Sequence, residues 1–229
     1  MLLRSVALGD GSVVHAAFSQ RSDGDFREGD LRIPAVPIGV GPAVAHTWLR
    51  QQHGAAVVIV DEPGEHSGSE ADAAVTICVD TPLTIRTADC APVAIYSSNG
   101  VIGAVHAGWH GLVSGVITAC VSAMHALGAR DLCAIVGPCI HAECYEFGRD
   151  DLARVVSVVG DSAAGVTARG GCAMDLPAAV VSALQRSGVP TIDVIDECTA
   201  CQPQRFFSHR ARAESERHVM VLWRSGTDQ

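Results

Sequence analysis

The sequence predicts a layered, mixed α+β fold. Three observations carry this. Strand and helix signals interleave along the chain, yet several strand signals follow one another directly, which a strict βαβ repeat does not do. Of 229 residues, 48% are hydrophobic and only 18% charged, enough apolar material for a buried core. No internal repeat, low-complexity tract or linker interrupts the chain, so residues 1–229 are expected as one domain. Aromatics are 4% of the residues, and the core is expected to consist mostly of Ala, Val, Leu and Ile.

The first 70 residues read as loop-rich. Within them Val13–Phe18 has the β-branched character of a short strand, 21–42 carries Asp, Gly and Pro without a period, and His46–Gln52 is expected as a short helix. The run Ala55–Val60 (AAVVIV) is a buried strand, and Pro63–Glu70 is a polar, Gly-containing loop. Three further strands follow at Ala73–Val79, Val93–Tyr96 and Val101–His106. Residues Gly111–Leu127 predict a single helix, with Leu112, Val116, Ala119, Ala123 and Leu127 on one face and Gly128 as its stop. Cys133–Val136 returns to a strand, closed by Gly137 and Pro138. Asp150–Val159 and Asp175–Ser187 predict helices, and Ile192–Ile195 and Val219–Trp223 predict strands.

Composition excludes several function classes. The 16 basic residues are all Arg, against 25 acidic ones, for a net charge of −9. An acidic chain is a poor general ligand for nucleic acid, where phosphates must be neutralised. Without lysine, neither a P-loop nor a Schiff-base mechanism is available. The opening MLLRSVALGDGSVV meets Asp10 before any long apolar stretch, so no signal peptide is expected. No apolar run approaches the ~18 residues of a membrane span. These signs point to a cytoplasmic protein whose nine cysteines stay reduced; either a monomer or a homodimer is expected. Most of those thiols are then small buried hydrophobes.

Four motifs place His or Cys beside Gly or Pro at element ends, where a scaffold presents reactive groups. They are Gln52-His53-Gly54, Thr87 to Val93 (TADCAPV), Val105 to Gly111 (VHAGWHG) and Gly137 to Glu146 (GPCIHAECYE). Taken singly, His53, Cys90 and His106 read as well as structural residues. Together, two imidazoles and one thiolate form a donor set that suits Zn²⁺, and three protein ligands leave a fourth position for water. Their spacings, 37 residues from 53 to 90 and 16 from 90 to 106, match no zinc-finger pattern. The helix expected after His106 offers free N–H groups for an anion. Cys198-Thr-Ala-Cys201 is a CxxC without a second pair, open to metal, redox or structural use. Cys139, His141, Glu143 and Cys144 could hold a second metal, line the pocket or cap an element.

These motifs together resemble the family of small bacterial laccase-domain proteins, once called multicopper polyphenol oxidases and now described as zinc-dependent purine nucleoside phosphorylases. The resemblance runs from Phe18-Ser19-Gln20-Arg21 through Ala71-Asp72-Ala73 to Phe206-Phe207-Ser208-His209-Arg210 and Val221-Leu222-Trp223. It implies a sandwich of mixed β-sheets with flanking helices, and Zn²⁺ on His53, Cys90 and His106. The family's His-Ala-Gly-Trp is usually followed by Arg-Gly, and His110-Gly111 stands here instead. An imidazole is then asked to do the work of a permanently charged guanidinium.

The expected activity is phosphorolysis of purine nucleosides: adenosine, inosine and methylthioadenosine. Phosphate attacks C1′ while the purine leaves, with Arg86 and Arg210 holding phosphate and His110 assisting. Asp89 is a candidate proton shuttle, or an orienter of Cys90. The same metal-bound water could attack C6 of adenosine, giving a deaminase side activity. Two alternatives stand beside this reading. One is oxidation of phenols by copper on the same ligands. The other is a metal-free hydrolase with Cys90 as nucleophile and His106 as its base.

Overall fold

Residues 1–27 and 44–226 are described by the computed structural model. The N-terminal strands β1 (Leu2–Ala7) and β2 (Val13–Phe18) form an antiparallel hairpin, with Leu2 opposite Phe18. After it come β3 (Thr47–Arg50), β4 (Val57–Ile59), β5 (Ser69–Glu70), β6 (Ala73–Thr76), β7 (Leu83–Thr87), β8 (Ala91–Tyr96) and β9 (Ile102–Ala107). Two helices, α1 (Trp109–Ser114) and α2 (Val116–Ala126), lead to β10 (Cys133–Val136). The remainder is α3 (Arg149–Val159), β11 (Ala164–Val166), β12 (Cys172–Met174), α4 (Leu176–Arg186), β13 (Thr191–Val194), α5 (His209–Arg212) and β14 (His218–Ser225).

The strands form two six-stranded mixed sheets, ordered β1-β2-β14-β7-β3-β5 and β13-β10-β8-β9-β6-β4, plus the small β11-β12 hairpin. Alternation along each strand sorts side chains between two cores. Val14, Ala16, Phe18, Leu83, Ile85, Met220 and Leu222 of the first sheet meet Ala74, Ala94, Ile102, Ala104 and Ile135 of the second. The second sheet's other face sends Val75, Val93, Ile95 and Val105 against Val116, Ile117, Cys120, Val155, Val180 and Leu184 of the helices. The architecture is therefore sheet on sheet on helices, the layered α+β fold the sequence predicts. Burial on both faces explains why β8 and β9 read as continuous apolar runs rather than alternating ones.

Several elements differ from expectation. The loop-rich N-terminal segment contains β1, and His46–Gln52 holds strand β3 rather than a helix. The cause is non-local. Thr47 and Trp48 pair in parallel with Leu83 and Thr84, and Thr84 Oγ1 donates to the Thr47 carbonyl at 2.8 Å. Fewer than eight residues of helix could not offset that pairing. Strand β7 itself was unmarked in the sequence. The single helix over Gly111–Leu127 is two helices, broken at Gly115, which adopts a left-handed φ of 83°. The break resets the helical phase. The buried face of α2 is Val116, Ile117, Cys120, Val121 and Met124, not the predicted stripe. In the aperiodic stretch, Arg21–Asp23 forms a single 3₁₀ turn and residues 28–42 lie outside the described residues. All nine cysteines are free thiols. Among the described residues no helix is long and apolar enough to cross a membrane.

Candidate functional site

Strands β6, β8 and β9 lie side by side, and their ends build the site. The alternation that sends Ile102 and Ala104 into the sheet–sheet core puts His106 on the same face of β9. Pro92 lies opposite His106 in the antiparallel register, which brings Cys90, just before β8, alongside. On the other flank Ala73 pairs with Val105, and the Asp72 carbonyl accepts the His106 N–H at 2.8 Å. His53 arrives from the loop after β3. The donor atoms of His53, Cys90 and His106 lie within 4.8 Å of one another, and the two rings meet edge to face at 4.8 Å. The three residues singled out in the sequence are thus brought together from three separate segments.

Asp72 organises this cluster, and its role was not visible in the sequence. Its side chain is fully buried. Oδ1 accepts from the His106 ring Nδ1 at 2.9 Å and from the His53 N–H at 2.9 Å. Oδ2 accepts from the N–H groups of Gly54 at 2.7 Å and Gln52 at 3.1 Å. One carboxylate therefore fixes both a ring and a loop. That loop holds His53 at a left-handed φ of 58°, a conformation that costs on the order of 1 kcal/mol and persists only where its surroundings impose it. With Nδ1 committed to Asp72, His106 keeps Nε2 for a ligand, the carboxylate–histidine arrangement typical of metal sites.

Electrostatics agree with a ligand set. Burial pushes the Cys90 thiol up, but the neighbouring His106 and His53 rings outweigh it and hold the thiol down at about 6. Burial pushes His106 the other way, and the Cys90 thiolate and Asp72 carboxylate outweigh it and hold the imidazolium up at about 9. Between about pH 6 and 9 the pair is therefore a thiolate beside an imidazolium. Gly108 leaves room for one: a Cβ there would stand 2.9 Å from Cys90 Sγ and 3.1 Å from His53 Cδ2. The donor types, their spacing and this clearance fit a borderline divalent cation.

Proton competition gives a test with a defined sign. Metal binding needs Cys90 as thiolate and His106 neutral. Between pH ~6 and ~9 the first condition holds and His106 must lose a proton, so apparent affinity should rise about tenfold per pH unit. Below ~6 Cys90 must also lose one, and the dependence should steepen; above ~9 it should flatten. Competition with a chelator across this range measures it, and a flat profile from pH 6 to 9 would refute the His106 assignment.

The cluster opens into a cavity of about 660 Å³. Four guanidinium groups line it, from Arg27, Arg86, Arg210 and Arg217, with Asp89 as the carboxylate in the wall. An acidic chain thus presents four guanidinium groups to one cavity. The Arg86 guanidinium donates to the Leu49 carbonyl at 3.0 Å and lies 5.2 Å from the Trp48 ring centroid. Arg210 lies 4.6 Å from the centroid of Tyr145 and donates to the Glu146 carbonyl at 2.8 Å. Tyr145 also faces the cavity, a second residue that sequence reasoning did not single out. Asp89 accepts from Thr199 Oγ1 and from the Arg210 N–H, each at 2.7 Å. Its two oxygens thus tie the turn before β8 to the loop at Thr199 and to α5.

His110 and the helix N-terminus are placed elsewhere. His110 is exposed on α1, its ring 3.5 Å from that of Trp109, and it does not line the cavity. Nor do the residues at the start of α1, whereas Arg86 and Arg210, expected to act with that helix end, do line it.

Comparison with known proteins now places the chain. Residues 34–225 match the profile of a family described as multi-copper polyphenol oxidoreductase laccase. A purine nucleoside phosphorylase from Xylella fastidiosa is 38% identical over 191 residues, 80% of this chain and 73% of the relative. One from Streptomyces coelicolor is 36% identical over 195 residues, 83% of this chain and 79% of the relative. Among solved structures, the Bacillus licheniformis hypothetical protein YfiH superimposes with a TM-score of 0.79 at 20% identity, covering 96% of this chain and 98% of the other. Neisseria meningitidis protein NMB0706 does so with a TM-score of 0.77 at 24% identity, covering 98% and 99%. Both structural likenesses show the fold.

Proposed function

The chain belongs to the multi-copper polyphenol oxidoreductase laccase family, and from that premise we propose that it is a zinc-dependent purine nucleoside phosphorylase. The observation that carries this reading is the His53, Cys90 and His106 cluster at the wall of a cavity lined by four arginines. Relatives at 34–38% identity bear the name purine nucleoside phosphorylase, and the cavity suits both substrates that name implies. In phosphorolysis the C1′–N9 bond breaks, a C1′–O bond to phosphate forms, and the purine leaves with a proton.

Arg86 and Arg210 hold the phosphate, since guanidinium binds it bidentately and stays charged at all relevant pH. Tyr145, backed by Arg210, offers an aromatic wall to the nucleoside. Asp89 positions Arg210 through the backbone rather than shuttling a proton. His53, Cys90 and His106 would hold the zinc, and Asp72 sets their geometry. When bound, the metal supplies Lewis-acid polarisation and an ionisable water. Adenosine, inosine and methylthioadenosine are the proposed substrates, with deamination of adenosine as a side activity of the same centre. The protein is proposed to act in the cytoplasm.

The test is adenosine or inosine with phosphate. Free purine and ribose 1-phosphate are expected, with loss in chelator and recovery on adding Zn²⁺. Adenosine without phosphate tests deamination by the appearance of inosine. Formation of no product under any of these conditions would remove the reading. Arg86→Gln should raise the KM for phosphate roughly 10- to 100-fold, the value of one charge-assisted hydrogen bond, and leave the KM for nucleoside nearly unchanged. An equal rise in both would place Arg86 outside the phosphate site.

One observation favours a second reading. A thiolate beside an imidazolium is also the resting state of a cysteine hydrolase. His53 as a third donor and Asp72 on the His106 ring favour the metal. A hydrolase would survive chelation and die on thiol alkylation. The copper alternative is decided by elemental analysis of protein grown without added copper.

A further inference from the structure

The structure brings together four side chains that the cavity chemistry does not use. Cys198 and Cys201 belong to the loop after β13. Glu143 and Cys144 belong to the 3₁₀ turn Ala142–Cys144. Cys144 Sγ lies 3.2 Å from Cys201 Sγ, and Cys201 Sγ lies 3.3 Å from Glu143 Oε1. All four donor atoms lie within 4.8 Å of one another. A backbone bridge from Cys139 to Cys198 aligns the two segments, with the Thr199 N–H donating to the Cys139 carbonyl at 3.0 Å.

Four donors within 4.8 Å of one another are close enough to share one coordination sphere. A tetrahedral zinc with Zn–S distances of about 2.3 Å has neighbouring sulfurs about 3.8 Å apart. Three thiolates and a carboxylate, none left over, make a closed site rather than one with an open position. The His141 N–H donates to Cys198 Sγ at 3.5 Å. The His141 ring stands beside the cluster, Nδ1 4.0 Å from Glu143 Oε1, and its buried Nε2 has no hydrogen-bond partner among the described residues. A disulfide would use two of the three thiols and leave Cys198 or its neighbour and Glu143 unaccounted for. Cys198 is buried while Cys201 and Glu143 are exposed, so an ion has a way in from the surface.

We propose that Glu143, Cys144, Cys198 and Cys201 form a second, structural site for a zinc-class divalent cation. It shares no residue with the His53 cluster and does not depend on the phosphorylase reading. Loading it releases the three thiol protons to solvent and involves no change of oxidation state. Its place in the fold gives it a purpose. Cys144 adjoins Tyr145 in the cavity wall. On the other side of the ion, Thr199 holds Asp89, and the Thr199–Ala200 carbonyls accept from Arg212 at the end of α5. The cation staples the Tyr145 turn to the segment that presents Arg210.

Full-length protein purified under reductant and dialysed against Zn²⁺ tests this by elemental analysis. About two equivalents per chain are expected for the wild type and about one for Cys90→Ala, for Cys201→Ser and for Glu143→Gln combined with Cys201→Ser. In the Cys90→Ala background, Co²⁺ should give the intense near-ultraviolet charge-transfer band of several thiolates, and adding Cys201→Ser should weaken it. The Cys90→Ala chain should also melt at a lower temperature in chelator than in Zn²⁺. Because Cys201 and Glu143 are exposed, these variants keep the test usable even if the buried Cys198→Ser does not fold. A Cys90→Ala chain that takes up no zinc or cobalt under reductant would overturn the proposal. So would a Cys144–Cys201 disulfide that persists in that buffer.

Discussion

Cys90→Ala is expected to abolish zinc retention at the cavity and lower phosphorolysis on the order of a thousandfold, with the fold intact. The activity loss follows from the several kcal/mol of charge stabilisation a catalytic metal contributes, at about 1.4 kcal/mol per tenfold. Structural damage should stay within about 1 kcal/mol, because Cys90 is only half-buried and precedes β8 rather than filling a core. Circular dichroism and thermal melting check the fold, and zinc content and purine release check the site. Cys90→Asp separates ligand from nucleophile. It keeps a metal donor without a thiol, and partial activity restored by Zn²⁺ would exclude covalent catalysis by Cys90. Full activity in Cys90→Ala would refute the site itself.

Asp72→Ala should do damage of a different kind. Four donors lose their acceptor: the His106 ring and the N–H groups of Gln52, His53 and Gly54. Bonds to a buried carboxylate contribute more than neutral ones, and the expected loss of stability is about 3 kcal/mol. Metal affinity should fall roughly 10- to 100-fold, as for other carboxylates that orient a ligating histidine. A positioning role has a signature that a scaffold role lacks. Asp72 helps hold the His106 proton, so without it that proton is lost at lower pH, and the window in which protons compete with metal should move down. A chelator titration of Asp72→Asn at several pH values reads this. An unchanged pH window at lower overall stability would make Asp72 structural only.

The contrast between these two residues shows what was legible in the sequence. Cys90 and His106 sit in motifs whose Gly, Pro and Trp neighbours mark element ends, and His53 stands between Gln52 and Gly54. Asp72 has no such setting. Its importance comes from partners 18 to 34 positions away, which no local pattern reveals. An isolated carboxylate at the mouth of an apolar strand, Asp72 before AAVT, and its place in the family's Ala71-Asp72-Ala73 stretch were the available signals, and neither gave it a role. The layered α+β class and the bounds of β2 and β10 followed from strand runs alone. Strand β3 did not, because the pairing with β7 that makes it a strand is non-local. The four-residue thiol and carboxylate cluster was half visible, as a CxxC and a Glu-Cys pair 57 residues apart, and only the fold joins them. His110 drew notice through a family motif, and its position on the outer side of α1 could not be read from sequence.

The place of β14 has a consequence for how the molecule comes into being. It lies between β2 and β7, with Met220 opposite both Phe18 and Ile85. Sheet one therefore stays split, with two exposed edges, until residues near 220 have left the ribosome. Arg210 and Arg217 arrive equally late. Such distant pairings make folding slow and leave unpaired edges open to aggregation. Nascent chains should thus carry an unfinished half while the helix-covered sheet is already assembling, and the cavity wall that carries Arg210 and Arg217 should be the last part of the protein to exist.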